Sequence, residues 1–370
     1  MSTGAHARAA LLYAALTVVM TWPLSARLSL MEAGDSSYFA WAMAWTSRAL
    51  LHDPASLPHA NTLHPLRYTL FLDEPIVATS VLSLPLRLVT TDPIVLLNVV
   101  RLLTFLLTAV FVRALALELG LSPLAAFAAG AWFSFSSNRL ASPAHLSVLG
   151  TQFLPLYLLF LHRWARGGSL LAASLSGAFF GLSAWACGYH ALLAAAVLPL
   201  PLLLLLRARH LGTGLVGLAI AFAFVLPLQH LHREALAPLH YERTTQETAF
   251  FSTPLEGFVS TSAANRIWGG PTESLRTIVE ADFFPGITLL ALALLALLAS
   301  RSIDSSRRAV LFSGVLALMA ALVALGPEIR LLGNVLAPGP FALLRDLDVF
   351  RMIRVPARAS VFFTMGIALL

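Results

Sequence analysis

Long apolar runs separated by short polar connections extend along the whole chain. Runs of roughly 17–22 apolar residues match the thickness of a bilayer core. Small residues and prolines interrupt them, as helix packing in membranes allows. The pattern predicts an all-α polytopic membrane protein, one domain over residues 1–370, with about ten transmembrane helices plus interfacial helices in a long first outer loop. The predicted spans are 9–26, 96–115, 122–137, 147–162, 169–187, 190–206, 213–230, 285–299, 308–326 and a last one from 356.

Arginine-containing connections between the spans set the predicted orientation. The segments 162–166, 207–210 and 301–308 each carry at least two arginines. The positive-inside rule places such segments in the cytoplasm. The predicted outer loops are therefore 27–95, 138–146, 231–284 and 327–355.

Two segments of the first outer loop are apolar, but their sequences do not clearly predict transmembrane spans. Residues 36–51 carry Phe39, Trp41 and Trp45 at positions that fit one helix face, and aromatic residues at this density suit the membrane–water interface. We therefore expect an amphipathic helix on the outer surface. Residues 75–90 are interrupted by a proline and an arginine, which favours an interfacial or re-entrant segment. A full crossing there is the alternative, and it would reverse every later loop.

Composition agrees with a membrane protein and excludes several soluble classes. Hydrophobic residues make up 58% of the 370 residues and charged ones 11%, whereas soluble domains are about 25% charged. The formal net charge of +6 resides in arginines at span ends, so it indicates topology and not nucleic-acid binding. Cys187 is the only cysteine, which excludes a disulfide framework or thiolate metal site within one chain.

Both ends of the sequence allow further expectations. The run from Ala9 to Leu24 follows Arg8 and could be a cleaved signal peptide, although no clear small-x-small cleavage site follows it. The sequence stops inside an apolar run, Ser360 to Leu370. We therefore expect it to be the N-terminal part of a longer protein.

Acidic residues in the first outer loop are candidates for chemistry. Asp35 follows a glycine and precedes the aromatic helix, where it could act as a helix N-cap or as a base that takes a proton from an incoming hydroxyl. Glu32 lies close by. Asp73 and Glu74 are adjacent carboxylates at the start of an apolar segment. They are costly there unless solvated or paired, so they are either a solvated helix start or substrate-binding groups.

Later outer loops contain further candidates. Arg139 could bind a phosphate or anchor the interface, and His145 could bind a sugar hydroxyl or a metal, or simply begin a helix. Tyr241 and Glu242 are candidate substrate-binding residues in the largest outer loop. Three histidines in or near that loop raise a zinc hypothesis, but their spacing matches no established ligand pattern. These histidines are His230, His232 and His240.

Arg351, Arg354 and Arg358 lie at the start of the last predicted span on the outer face, against the positive-inside trend. Phosphate recognition or anchoring to lipid headgroups would explain them. The sequence contains no Walker loop, dinucleotide fingerprint, nucleophile elbow or His-Glu-x-x-His motif, so soluble nucleotide chemistry is not indicated.

Five stretches, in order along the chain, resemble the GT-C superfamily of integral membrane glycosyltransferases, in particular its poorly characterised bacterial members. Each stretch is weak alone, and their order carries the resemblance. They are Gly34-Asp35-Ser36-Ser37-Tyr38-Phe39-Ala40-Trp41, Pro65-Leu66-Arg67-Tyr68-Thr69 leading to Asp73-Glu74, Phe135-Ser136-Ser137-Asn138-Arg139 with His145, Phe283-Phe284-Pro285-Gly286, and Phe350-Arg351 to Arg358.

The resemblance implies transfer of a sugar, a hexose or a pentose, from a polyprenyl-phosphate donor to a glycan, lipid or protein acceptor. It implies a bacterial inner-membrane location with the active face outside the cytoplasm. Asp35 takes the place of the catalytic acidic residue of the first outer loop in such enzymes. The sequence departs from better-studied members by lacking an adjacent acidic pair there and a later Asp-x-Asp. No metal ligand is therefore assigned, although a divalent metal stays possible.

Two other function classes stay open at this point. A lipid or polysaccharide transporter or flippase would carry ionisable groups near the middle of its spans, and Arg101 is the clearest such residue. A non-catalytic membrane assembly protein would need neither a donor site nor a base. Reaction with a polyprenyl-phosphate sugar in detergent separates the three classes.

Overall fold

A computed structural model describes residues 3–240, 243–299 and 304–370. Helices make up 69% of the chain and strands 3%. The first helices in these described ranges are α1 (Thr3–Met20), α2 (Ser36–His52), α3 (Val77–Ser80), α4 (Pro93–Glu118), α5 (Pro123–Ser134), α6 (Ser137–Leu140), α7 (Leu146–Leu149), α8 (Phe153–Gly167) and α9 (Leu170–Ala186). The later ones are α10 (Gly188–Val197), α11 (Pro199–Leu203), α12 (Leu211–Leu236), α13 (Thr245–Phe250), α14 (Ile287–Ala299), α15 (Asp304–Ala324), α16 (Phe341–Arg345), α17 (Asp348–Arg351) and α18 (Ser360–Leu369). The strands are β1 (Glu328–Leu331) and β2 (Asn334–Pro338).

Three helical stretches among the described residues are long and apolar enough to cross a membrane. They are Pro93–Glu118, Ala208–Leu239 and Arg307–Ala324. The other predicted spans coincide with shorter helices: α5, for example, has 12 residues and is about 18 Å long, against roughly 30 Å for the hydrocarbon core. The mostly helical fold is therefore confirmed, the three long apolar helices fit a membrane protein, and the number of about ten spans is not confirmed.

Two of the predicted spans are not continuous helices. The span predicted at 147–162 breaks between α7 and α8, and the one at 190–206 breaks before Pro199. At the first break, a Cβ on Gly150 would approach Thr79 Oγ1 to 2.9 Å, so the close packing there requires a glycine. At the second, a proline removes a backbone donor and fits only the first turn of the next helix.

A β-hairpin corrects the all-α prediction. β1 and β2 pair antiparallel, with Leu331 opposite Asn334. The two residues between them, Leu332 and Gly333, have positive φ values of 47° and 83°. Positive φ at both central residues is the requirement of a type I′ turn, whose twist matches that of the flanking strands. The short Gly-Asn signal inside an apolar stretch was read only as loop.

The contacts divide the chain into two compact units. The first consists of Met1–Phe111, Pro143–Ala191 and Ala208–Glu242, and the second of Val112–Ser142, Leu192–Arg207 and Arg243–Leu370.

Glycines set the packing of the long helices in the first unit. A Cβ on Gly177 of α9 would collide with the carbonyl of Gly217 in α12, and a Cβ on Gly217 would lie 2.5 Å from the carbonyl oxygen of Ala173. Small residues allow backbones to approach in this way, which is how membrane helices associate without a hydrophobic driving force. α9 and α12 are therefore a closely packed pair.

The helix predicted at 36–51 exists as α2, but its apolar face packs into the core of the first unit instead of resting on lipid. Phe39 and Met43 are buried in the apolar core of the first unit, together with residues of α4. The tryptophans at the edge of this face bond to the following loop: Trp41 Nε1 donates to Asn61 Oδ1, and Trp45 Nε1 donates to the carbonyl of Leu57. The two tryptophans thus hold α2 against the loop that follows it, because an indole N–H that is hydrogen-bonded can be half-buried without an energetic penalty.

The weak segment 75–90 consists of α3 and two short turns of 3₁₀ helix. The helical stretch runs from Val77 to Leu88, which at 1.5 Å per α-helical and 2.0 Å per 3₁₀ residue gives about 22 Å. That is shorter than a bilayer core, in line with the expectation that it does not cross. Thr79 and Ser80 on it are fully buried.

In the second unit α18 packs along α15. A Cβ on Gly366 would lie 2.6 Å from the carbonyl oxygen of Ser313 and 2.9 Å from the Cβ of Ala317. The contact is again made possible by a small residue. It joins the last predicted span to one of the three helices that are long enough to cross.

The predicted topology can be tested with cysteines at exposed positions. In a Cys187→Ala background, Ala55→Cys and Ala264→Cys should react with an impermeant thiol reagent added to intact cells. Gly167→Cys, next to a basic connection, should react only after permeabilisation. All three positions are exposed, and a Cβ at Gly167 would meet nothing within 4 Å. Labelling at 167 in intact cells would overturn the orientation.

Candidate functional site

The loop that follows α1 is fastened to α4 by an asparagine. Asn98, fully buried, donates from Nδ2 to the carbonyl oxygens of Leu28 at 2.8 Å and Leu30 at 2.7 Å. A buried amide needs such partners, because water cannot reach it. The amide therefore fixes the chain a few residues before Asp35.

An arginine one helical turn further along α4 fastens the other side of the same loop. Arg101 is fully buried and donates from Nη1 to Asn98 Oδ1 at 2.7 Å and from Nη2 to Ser36 Oγ at 2.8 Å. Glu32 interacts with it electrostatically. A buried guanidinium is costly unless it is hydrogen-bonded. The helix and the start of α2 are thus joined by a polar network that is expensive to open.

Asp35 lies between these two attachments and faces His145. It occupies the residue before α2, yet its side chain makes no capping hydrogen bond. Instead its Oδ2 lies 3.0 Å from Nε2 of His145, and the side chains are 59% and 35% exposed, respectively. Both residues were interpreted as possible helix starts. Both do precede helices, α2 and α7, but what the two side chains contact is each other.

A glycine shapes the turn before Asp35. Gly34 has a φ of +83°, a conformation that favours glycine. A Cβ at this position would be in ordinary van der Waals contact with the Cβ of Ala144, at 3.6 Å. Gly34 and Ala144 precede Asp35 and His145, so the carboxylate–imidazole contact lies where these two segments pack against each other.

Tyr38, one turn into α2, interacts electrostatically with the acidic candidates of this region. Its hydroxyl donates to the carbonyl of Glu74 at 3.4 Å. Burial raises the pKa of Tyr38, and the charges of Asp73, Glu74 and Asp35 raise it further. The phenol therefore stays neutral at physiological pH and acts as a hydrogen-bond donor. The site thus gathers three of the predicted acidic residues around one ring.

The adjacent carboxylates differ in environment. Asp73 is exposed and its Oδ1 accepts from the backbone N–H of Glu74 at 2.8 Å. Glu74 is 9% exposed, and its Oε1 accepts from the thiol of Cys187 at 3.2 Å. The interpretation as a purely solvated helix start therefore does not hold for Glu74. The buried Glu74 is therefore placed as a structural group, and the exposed Asp73 as a group that faces solvent.

The Asp35–His145 pair can move a proton. A carboxylate on one nitrogen of an imidazole stabilises the imidazolium, and a free carboxylate next to a histidine can itself accept a proton. A carboxylate–imidazole contact as exposed as this one contributes at most about 1 kcal/mol to stability. Its location at the loop surface, backed by a buried polar network, is thus suited to chemistry on a molecule that arrives from solvent or lipid.

Arg139, in the second unit, is buried and not displayed to solvent. Its Nε donates to the carbonyl of Ser134 at 3.0 Å, and its guanidinium lies 5.7 Å from the ring centre of Phe133. Burial lowers the pKa of Arg139 to about 9, so the side chain keeps its charge at neutral pH. An exposed interfacial anchor is therefore the wrong interpretation of this residue.

The three arginines before the last helix each have an acidic neighbour. Arg351 pairs with Asp348 at 3.3 Å, Arg354 with Glu247 at 2.8 Å, and Arg358 with Glu280 at 3.1 Å. Arg354 also stacks on Phe251, 4.4 Å from its ring centre.

The three pairs differ in how readily a phosphate could replace the carboxylate. The side chains of Arg358 and Glu280 are 15% and 16% exposed, whereas those of Arg351 and Asp348 are 63% and 85% exposed. Exposed ion pairs are weak and are exchanged easily. Arg351 is therefore the most accessible of the predicted phosphate ligands, and the phosphate role of all of them stays a prediction.

The remaining candidates lie elsewhere. Tyr241 and Glu242 fall outside the described residues. His232 Nδ1 lies 2.7 Å from the carbonyl oxygen of Phe71, while His230 and His240 are exposed. Over the ranges 3–240, 243–299 and 304–370, no group of three or more His, Cys, Asp and Glu side chains could hold a metal ion. The histidine hypothesis for zinc therefore has no support in this part of the chain.

Sequence reasoning missed three members of the site. Ser36 and Tyr38 directly follow the predicted catalytic residue, and Asn98 was read as part of a featureless span. One signal was available: an amide and a guanidinium three residues apart, Asn98 and Arg101, fall on one face of an otherwise apolar helix. Polar groups paired in this way inside a span mark a built contact.

Comparisons with known proteins do not assign this site. No family model matches the chain, and no curated protein matches it.

Asn98→Ala should destabilise the protein, because it removes the amide that bonds the carbonyls of Leu28 and Leu30 and takes one partner from the buried guanidinium of Arg101. The cost is about 0.5–1.5 kcal/mol for each hydrogen bond to a carbonyl. The measurement is the thermal unfolding midpoint in detergent. Asn334→Ala is the matched control, since that amide is exposed and bonds only weakly to Leu332 at 3.4 Å. Equal midpoints for the two variants would contradict the anchoring role.

Proposed function

We propose that this chain is an integral membrane glycosyltransferase of the GT-C type, with Asp35 and His145 as its proton-accepting pair. The observation that carries the proposal is the 3.0 Å contact between Asp35 Oδ2 and His145 Nε2, held beside the buried Arg101 network. It supports the role that the resemblance implied for Asp35 and adds the imidazole as a partner.

In the proposed reaction an acceptor hydroxyl attacks the anomeric carbon of a sugar carried on a polyprenyl phosphate. The new bond joins the acceptor oxygen to that carbon, and the bond between the carbon and the phosphate oxygen breaks. The hydroxyl proton passes to the Asp35–His145 pair, and the polyprenyl phosphate departs with the bonding electrons. A base positioned in this way typically contributes 10²–10⁴-fold to the rate.

The proposal includes the surroundings of the reaction. The polyprenyl tail of the donor lies in the bilayer, in keeping with the apolar helices. The sugar is a hexose or pentose, and the acceptor is a glycan, a lipid or a protein on the outer face of a bacterial inner membrane. Arg351, Arg354, Arg358 and Arg139 are the proposed phosphate ligands, Arg351 first because of its exposure, and arginine suits phosphate by its planar fork of donors.

The alternative of a transporter or flippase has one observation in its favour. Arg101 is a fully buried charge inside a helix long enough to cross a membrane, which is common in transport pathways. Its guanidinium, however, bonds to Ser36 and Asn98. That arrangement fixes a loop and does not require a moving substrate, so we rank transport, and a non-catalytic assembly role, below transfer.

Asp35→Asn tests the proposed base. The substitution keeps the shape of the side chain, and asparagine is as good an N-cap as aspartate. Turnover of polyprenyl-phosphate hexose and pentose donors should fall roughly 10²-fold or more, with unchanged expression and thermal midpoint. Transfer of a labelled sugar by purified protein in detergent, with membrane extract as the acceptor source, is the measurement.

Asp53→Asn is the control for that experiment. Asp53 lies at the other end of α2, is exposed, and makes no capping hydrogen bond with its side chain. It should turn over like the parent. An active Asp35→Asn protein would remove the catalytic assignment, and a parent protein inactive with every donor would remove the proposed function.

Arg351→Gln should weaken donor binding roughly 10- to 150-fold, since losing one charge-assisted hydrogen bond to phosphate costs about 1.5–3 kcal/mol. Binding of a fluorescent polyprenyl-phosphate sugar to the detergent-solubilised protein is the readout. Arg48→Gln serves as the control, because Arg48 is also exposed and rests on an aromatic ring, 5.8 Å from the centre of Trp45. If Arg351→Gln and Arg48→Gln bind alike, Arg351 is not a phosphate ligand.

A further inference from the structure

The β1–β2 hairpin exposes apolar side chains on both of its faces. Leu332 in the turn is 64% exposed, and Val335 and Leu336 in β2 are each 56% exposed. Successive residues of a strand point to opposite faces, so Val335 and Leu336 extend to the two sides of the ribbon. Every residue of β2 is exposed. A hairpin in water would normally carry polar residues on at least one face.

The hairpin is nevertheless held firmly by the second unit. The backbone N–H of Leu332 donates to Glu256 Oε1 at 3.0 Å, and Glu256 is itself buried. At the base, the N–H of Gly339 donates to the carbonyl of Pro327 at 2.8 Å. A two-stranded ribbon is only marginally stable alone, and these bonds fix its place. The exposed apolar side chains are thus presented by an ordered element.

The hairpin lies close in the chain to a helix that is long enough to cross a bilayer. β1 begins at Glu328, four residues after Ala324 ends that helix. At about 3.3 Å per extended residue this distance is at most roughly 13 Å. The helix α16 follows the hairpin and also exposes an apolar side chain, Leu343, which is 81% exposed.

We propose that the hairpin and α16 dip into the interfacial layer of the lipid bilayer, with Leu332, Val335, Leu336 and Leu343 among the lipid acyl chains nearest the headgroups. Large exposed apolar patches mark binding surfaces, and the continuity with the membrane-crossing helix makes lipid the partner. The outer edges of β1 and β2 carry unpaired backbone groups, which cannot be satisfied in hydrocarbon. The insertion therefore stops at the headgroup level. This inference does not depend on the proposed transfer reaction.

Spin labels test the proposal in the full chain. Single cysteines replace Leu332, Val335 and Leu336 in a Cys187→Ala background, and the labelled protein is reconstituted into phosphatidylcholine–phosphatidylglycerol nanodiscs. Relaxation by oxygen, which concentrates in lipid, is compared with relaxation by a water-soluble nickel chelate. Oxygen should dominate at all three positions. Leu318→Cys in α15, 56% exposed, is the lipid control, and Ala55→Cys is the water control.

Two results would overturn the proposal. Dominant relaxation by the nickel chelate at the hairpin, as at position 55, would place it in water. Low relaxation by both reagents would mean that a protein surface, such as a second copy of the chain, covers it. Three labelled positions on two faces keep the test decisive if one variant fails to fold, which the elution volume and thermal midpoint of each variant reveal.

Discussion

A buried guanidinium governs the first unit. Arg101 carries its charge inside an apolar helix, where an unpaired ion is far costlier than any single contact is favourable. The stability of this charge therefore depends on Ser36 and Asn98 being in place, and the buried Asn98 amide in turn depends on two carbonyls of the loop that follows α1. The loop cannot leave α4 without taking hydrogen-bond partners from the buried guanidinium and the buried amide. The position of Asp35 is a consequence of this requirement.

Other contacts also hold the region around Asp35 in place. α2 begins at the arginine-bound serine and buries its apolar face in the core, and the indoles of Trp41 and Trp45 hold the next stretch of loop against it. Tyr38 then connects this helix to the backbone of Glu74. The acidic residues of a long irregular segment are thereby collected at one end of one helix, although they are up to 39 positions apart in the sequence.

Much of this arrangement could be predicted from the sequence where one physical signal was strong. Apolar runs gave the positions of the helices, and the glycine before Asp35 with the aromatic residues after it gave α2. Helix lengths could not be read in the same way, because apolar composition continues across breaks such as Gly150, where packing against Thr79 ends the helix. The hairpin was missed since its turn depends on two positive φ angles, one of them at a leucine.

The pairing of Asp35 with His145 lay beyond sequence reasoning for a different reason. The two residues are 110 positions apart, and they meet where the segment of Gly34 packs beside that of Ala144. Each residue was a reasonable candidate by itself, but the sequence around one gives no indication that it contacts the other. The same holds for Glu74 and Cys187, a contact between residues 113 positions apart. Long-range pairs of this kind follow from the packing of helices and not from any spacing along the chain.

The attachments on either side of Asp35 also define how this loop could vary. Asn98 holds the carbonyl of Leu30, and Arg101 holds the hydroxyl of Ser36, so residues 31–35 form a short segment between two fixed points. Closing so short a segment costs little additional entropy, and lengthening it by a few residues adds only tenths of a kcal/mol. The segment 31–35 can therefore change in length and composition while its two ends stay attached. Changes there would alter the shape of the surface around Asp35 without disturbing the network that holds it.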